Sequence, residues 1–159
     1  MKKIDFKNAD IELIVYDFDG VMTDNTAIVD ENGKESVIVN RGDGAGVSYI
    51  KGLNINQVII SSEQNNVVTA RGKKLGIETI HGVGDKKTVL HDFCQKNNYN
   101  LKKVLFIGND INDYEAMTIS GYTACPQDAE PEIKEYVNHI FDAKGGKGVI
   151  RELYRELTS

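Results

Sequence analysis

Asp17 and Asp19 stand two residues apart where the apolar run LIVY gives way to DFDGVMTD. Like charges that close repel, so the pair calls for a cation, or for a proton on one of its members. Later in the chain Ser61-Ser62-Glu63 follows the run NQVII, and Lys86 follows HGVGD. Asp110 and Asp113 sit in GNDIND, directly after KVLFI. If the apolar runs are strands of an open α/β sheet, these groups all gather at carboxyl ends, where such sheets bind ligands. Hard oxygen donors in this number suit Mg²⁺, which binds through one or two carboxylates and keeps waters or phosphate oxygens. A phosphoryl group on that metal needs further donors, and Ser61 and Lys86 provide a hydroxyl and a point charge. Asp17 can then attack phosphorus. Asp19 can give a proton to the leaving oxygen and later take one from water.

The elements that would position these groups are readable. Strands are predicted at 11–17, 56–61, 77–80, 103–108 and 121–125. The runs at 56–61 and 103–108 are continuously apolar inside, as parallel strands covered on both faces are. Helical spacing of apolar residues marks 44–53, 65–76, 86–98 and 111–120, with Gly76 as a stop for the second. A final helix is predicted in the tail, 144–159. This alternation predicts an α/β fold, a doubly wound and mostly parallel sheet, in a single domain over 1–159. One segment interrupts it: 26–40 reads as a β-hairpin around Asn32-Gly33, projecting beside the carboxyl ends of the strands.

Composition bounds the partners. The 159 residues carry a formal net charge of -5, which argues against nucleic acid and anionic membranes, since phosphate-rich partners demand clustered Lys and Arg. Cys94 and Cys125 are far apart and outside any CxxC pair, so they read as reduced thiols. The first residues lack an apolar leader, and no run approaches 18 apolar residues. A cytoplasmic protein is expected.

The four motifs together, DFDGVMTD, the hydroxyl of Ser61, Lys86 and GNDIND, resemble the haloacid dehalogenase superfamily of phosphohydrolases over nearly the whole chain. With a hairpin instead of a large cap, and KGGKGVIREL near the end, the chain looks like the capless subgroup acting on sugar-acid phosphates. That subgroup includes 3-deoxy-D-manno-octulosonate 8-phosphate and nonulosonate (sialic-acid-type) 9-phosphate phosphatases, and the C-terminal domains of some acylneuraminate cytidylyltransferases. The resemblance implies Asp17 as nucleophile and Asp19 as acid/base, with the phosphoryl group bound by Ser61 and Lys86. It implies Mg²⁺ held by Asp17, the Asp19 carbonyl and Asp110, with Asp113 behind them. It further implies a homotetramer, with the hairpin between subunits and the segment of Gly145, Gly146 and Gly148 closing over a neighbour's site.

Two departures bear on this. Octulosonate phosphatases typically read Thr-Gly-Arg where this chain has Ser61-Ser62-Glu63. Nonulosonate-type enzymes commonly carry Glu there, followed by an Arg and a Lys matched by Arg71 and Lys74. A carboxylate suits sugar hydroxyls and the two cations suit the substrate's own carboxylate, which favours a nine-carbon substrate over the octulosonate. Asn109, where many relatives have Asp, removes one negative charge beside the metal. Taken singly, each group has a plainer reading: Asp110 and Asp113 as helix-capping charges, Lys86, Arg71 and Lys74 as solvated cations, Lys147 and Arg151 as weak candidates for an anion. His81, His91 and His139 lie on no metal-ligand spacing. Two other functions compete: a non-catalytic assembly domain, which has no need of paired acids, and a phosphoacceptor receiver, whose acids lie on the first and third strands.

Overall fold

A computed structural model describes residues 3–159. The chain runs β1 (Leu13–Tyr16), a hairpin of β2 (Ile28–Val29) and β3 (Glu35–Ser36), α1 (Arg41–Lys51), β4 (Asn56–Ile60), α2 (Val67–Leu75), β5 (Glu78–Ile80) and α3 (Lys86–Asn97). It continues through β6 (Val104–Ile107), α4 (Ile111–Met117), β7 (Tyr122–Cys125), α5 (Pro131–Tyr136), β8 (His139–Ile140) and α6 (Val149–Thr158). Six strands form one parallel sheet in the order β5-β4-β1-β6-β7-β8. The chain leaves β1 toward β4 on one side and later returns to β6 on the other. The strand order therefore reverses at β1, which opens a crevice beyond its carboxyl end.

The sheet is covered on both faces because successive side chains of a strand point to opposite sides. Ile14 and Tyr16 of β1 join Val47, Ile50, Val149 and Leu153 in one core, which packs under α1, α2 and α6. Leu13 and Val15 join Leu90, Cys94, Ala116 and Ile133 in the other, under α3, α4 and α5. The apolar runs are thus buried throughout. Gly76 ends α2 in the left-handed region, as its position predicts. The hairpin also forms, but through a longer loop than a two-residue turn, because the Asp30 carboxylate accepts from the Asn32 and Lys34 N–H groups. The short α5 and β8 have too few residues for a periodic signal and are absent from the sequence reading.

One long-range staple holds the last helix. Asp43, buried in the first turn of α1, accepts at Oδ1 from Ile150 N at 2.9 Å and Arg151 N at 3.1 Å. It caps α6, whose own N-cap is Gly148 without a side-chain bond, so groups that a helix start leaves orphaned are met from another helix. Burial raises the Asp43 carboxyl above its ordinary value, with the Arg151 and Ile150 N–H groups opposing. A carboxyl raised in the folded state contributes stability that is complete below its unfolded pKa and lost as pH rises through the raised value. Asp43→Ala should lower unfolding stability by about 1–3 kcal/mol, whereas Asp43→Asn keeps an acceptor and loses this titration. Urea unfolding from acid to neutral pH checks both, and an alanine variant as stable as the parent would discard the cap.

Candidate active site

Lys86 is the hinge of the site. Asp85 caps α3 by accepting from Thr88 N, which makes Lys86 the first residue of that helix. A cation there opposes the helix dipole, so something else must hold it. Its ammonium lies 2.9 Å from Asp17 Oδ1 and 2.7 Å from Asp113 Oδ1, and all three residues are buried. Burial disfavours the ammonium, but Asp17 and Asp113 outweigh it and raise its pKa. Burial also pushes Asp17 above the carboxylate range, with Asp113 adding and Lys86 opposing. Two buried carboxylates against one lysine leave the site short of positive charge.

Asp17 and Gly108 leave adjacent strands together, since Tyr16 pairs with Ile107 and Asp17 N donates to Ile107 O. This brings the loop before α4 against the one after β1. Asp113 Oδ2 accepts from Asn109 N at 2.9 Å and Asp110 N at 3.2 Å, so Asp113 fastens Lys86 and that loop at once. Asp110 is the N-cap of α4 and accepts from Ile111 N. Asn109 points back to the first loop. One terminal atom of its carboxamide lies 2.8 Å from Asp19 O and 3.1 Å from Asp17 Oδ2. An amide offers either atom here: its nitrogen donates to both oxygens, while its oxygen completes an all-oxygen set of the kind a hard divalent cation takes. The approach needs Gly20 (φ 84°), where a Cβ would fall 2.0 Å from Asn109 Nδ2. The sequence reading saw in Asn109 a lost charge; the structure places it nearer these oxygens than any role as a bystander requires.

Asp19 is half-buried and raised by burial, with Glu63 adding, which favours its protonated form. Thr23 Oγ1 donates to it at 3.4 Å. It opens on a cleft of 220 Å³ lined by hairpin residues Glu35 and Val37, by Asn25 and Thr26, and by Glu63 and Asn65. Ser61, buried at the end of β4, accepts from Glu63 N and keeps its own proton to donate. Arg71 and Lys74 are elsewhere: with Arg41 and Ser48 they line a separate depression of 280 Å³, and Arg71 donates to Asn40 O. The glycine segment lies against the chain's own first loop. Gly146 N donates to Val21 O, and a Cβ on Gly145 would fall 2.1 Å from Gly20 O. Gly148 introduces α6, so removing everything from Gly145 onward would strip a core helix as well as a loop contact.

The ion-pair geometry makes Lys86 indispensable to packing. Lys86→Met should lower unfolding stability by about 3–5 kcal/mol, because it leaves Asp17 and Asp113 buried without a counter-charge. Thermal or urea unfolding measures it, and a variant as stable as the parent would mean that the triad carries no net charge to balance.

Comparison with known proteins identifies the family. The model of the haloacid dehalogenase-like hydrolases matches residues 50–153. A 3-deoxy-D-manno-octulosonate 8-phosphate phosphatase of Yersinia pestis is 29% identical over 91% of this chain and 78% of its own length. The Salmonella typhi protein of the same name is 30% identical over 92% and 79%. Among solved structures, the Moraxella catarrhalis phosphatase of that name, in complex with a magnesium ion, a phosphate ion and a KDO molecule, superposes with a TM-score of 0.90 at 28% identity. That superposition covers 95% of this chain and 87% of the other. With its parallel sheet, its paired aspartates after the first strand and its buried lysine, the chain belongs to the haloacid dehalogenase-like hydrolases.

Proposed function

We propose that this chain is a Mg²⁺-dependent phosphomonoesterase that removes phosphate from a sugar-acid phosphate through an aspartyl phosphate on Asp17. The observation that carries the reading is the buried Asp17–Lys86–Asp113 array beside a half-buried Asp19 at the mouth of a cleft. Asp17, the Asp19 carbonyl and Asp110 would hold the metal, as the resemblance implies, with the Asn109 carboxamide lying against Asp17 Oδ2 and the Asp19 carbonyl. Bound there, it would offset the excess negative charge and polarise a phosphoryl oxygen. Asp17 attacks phosphorus as the ester P–O bond breaks, and Asp19 gives its proton to the departing sugar oxygen. Asp19 then takes a proton from water, whose oxygen displaces Asp17 and releases inorganic phosphate. Lys86 and Ser61 hold phosphoryl oxygens through both steps.

The finer reading is a nonulosonate 9-phosphate. Glu63 on the cleft suits hydroxyls of a long polyol arm. No cation is among the described lining residues of the cleft, so the substrate's carboxylate calls for one from outside. Arg71 and Lys74 could supply it from a neighbouring copy in a homotetramer. The exposed hairpin residues Ile28, Val29 and Ile38, at 63%, 60% and 65% exposure, favour such association. The names of the relatives favour the octulosonate 8-phosphate instead.

Phosphate release from the two substrates, with Mg²⁺ and with EDTA, tests the reading. Turnover should need the metal and vanish in Asp17→Asn; a near-parental rate in that variant would end the nucleophile assignment. Arg71→Ala should raise KM for the preferred sugar acid with kcat little changed, and an unchanged KM would reduce Arg71 to its bond with Asn40. Asn109→Asp should tighten Mg²⁺ binding severalfold and Asn109→Leu weaken it, as read by calorimetry; equal affinities would remove Asn109 from the metal.

A further inference from the structure

A second group of ligand-type side chains lies away from the catalytic cleft. His139 opens the edge strand β8, and Glu152 and Glu156 project from one face of α6, one turn apart. A ring nitrogen of His139 and one carboxylate oxygen from each glutamate lie within 4.8 Å of one another. These residues, with Lys3 and Asp142, line a surface depression of 390 Å³ that shares no residue with the catalytic cleft.

Two independent features distinguish this group from scattered surface charge. His139 Nε2 is buried and has no hydrogen-bond partner among the described residues, although buried polar atoms are nearly always paired. The ring packs edge-on against Phe6 at 4.9 Å and Phe141 at 4.7 Å. Glu152 is fixed: its oxygens accept from Asp142 N at 2.9 Å and Ala143 N at 2.8 Å. Carboxylates that bind metals are commonly held this way by outer hydrogen bonds, which leave a second lone pair on each oxygen free. Only Glu156 is left to adjust.

We propose that His139, Glu152 and Glu156 form a site for a borderline divalent cation of the zinc type, which ties β8 to α6. The donor set decides the metal. Imidazole with carboxylates suits Zn²⁺, whereas the all-oxygen catalytic set suits Mg²⁺. Tetrahedral Zn²⁺ with bonds of about 2.0 Å places its ligands about 3.3 Å apart, so the group must draw in slightly, which the flexible Glu156 allows. Burial lowers the His139 pKa against the pull of the two glutamates, keeping a neutral ring available as a ligand. Water completes the fourth position, and the role is structural.

Calorimetric titration of the full chain with Zn²⁺, in excess Mg²⁺ to hold the catalytic carboxylates, tests the site. One zinc ion per chain is expected, with a rise in melting temperature. Binding should weaken by tenfold or more in both His139→Asn and Glu156→Gln, while Mg²⁺-dependent phosphate release stays at the parental level. Glu156→Gln lies away from the aromatic contacts, so it still reports if His139→Asn fails to fold. Absence of zinc binding, or binding unchanged in the Glu156→Gln variant, overturns the proposal. Binding lost instead in Asp17→Asn would place the ion at the catalytic carboxylates and overturn it equally.

Discussion

A single buried ammonium between two carboxylates sets the rest of this molecule. Lys86 can sit at the start of α3 only because Asp17 and Asp113 offset both its desolvation and the helix dipole. Each partner comes from a different layer: Asp17 from the end of the central strand, Asp113 from the first turn of α4. The ion pairs therefore bind one strand and two helices at the point where the sheet changes direction. Asp113 spends its second oxygen on the Asn109 and Asp110 N–H groups, so the loop that faces the first aspartates is held by the same residue. Moving any one of the three groups moves the others.

That arrangement buries two carboxylates against one ammonium, and the imbalance favours a further cation. Asp17 and Asp19 share a loop but not an environment. Asp17 lies against a lysine and a second carboxylate, whereas Asp19 faces a half-open cleft with Glu63 nearby. Burial raises both carboxyls above their ordinary value, so different roles would follow from position, Asp17 against Lys86 and Asp19 on the cleft. The two acids that seem redundant in the linear chain are separated by where their side chains go.

Much of this was legible in the amino-acid order. The runs at β1 and β6 are buried at every position, and β4 is apolar from Val58 to Ile60, so both their strand character and their double coverage could be read. Gly76 marked the end of α2. The order of the motifs, each after a strand, placed Asp17, Ser61, Lys86 and Asp110 at one edge. Other features were beyond it. β8 has two residues and α5 six, too few to show a period. Asn109 was weighed by charge, while its contribution comes from where a neutral carboxamide points. Arg71 and Lys74 were matched by their place in the chain after Glu63, which could not say that they turn toward Asn40 and α1. The glutamates of α6 and His139 are neighbours only because the chain closes its sheet with β8 and lays α6 across the same core.

The glycine contact between residues 145–146 and the loop after β1 has a consequence for how the protein is made. The catalytic loop is synthesised early, yet part of its backbone is held by a segment that emerges far later, next to a helix whose cap joins residues 107 positions apart. A domain generally folds as a unit, so β1 and its aspartates wait for their final support until the later segment has emerged. A growing chain thus carries Asp17 and Asp19 unassembled, and their final geometry arises only on closure of the fold.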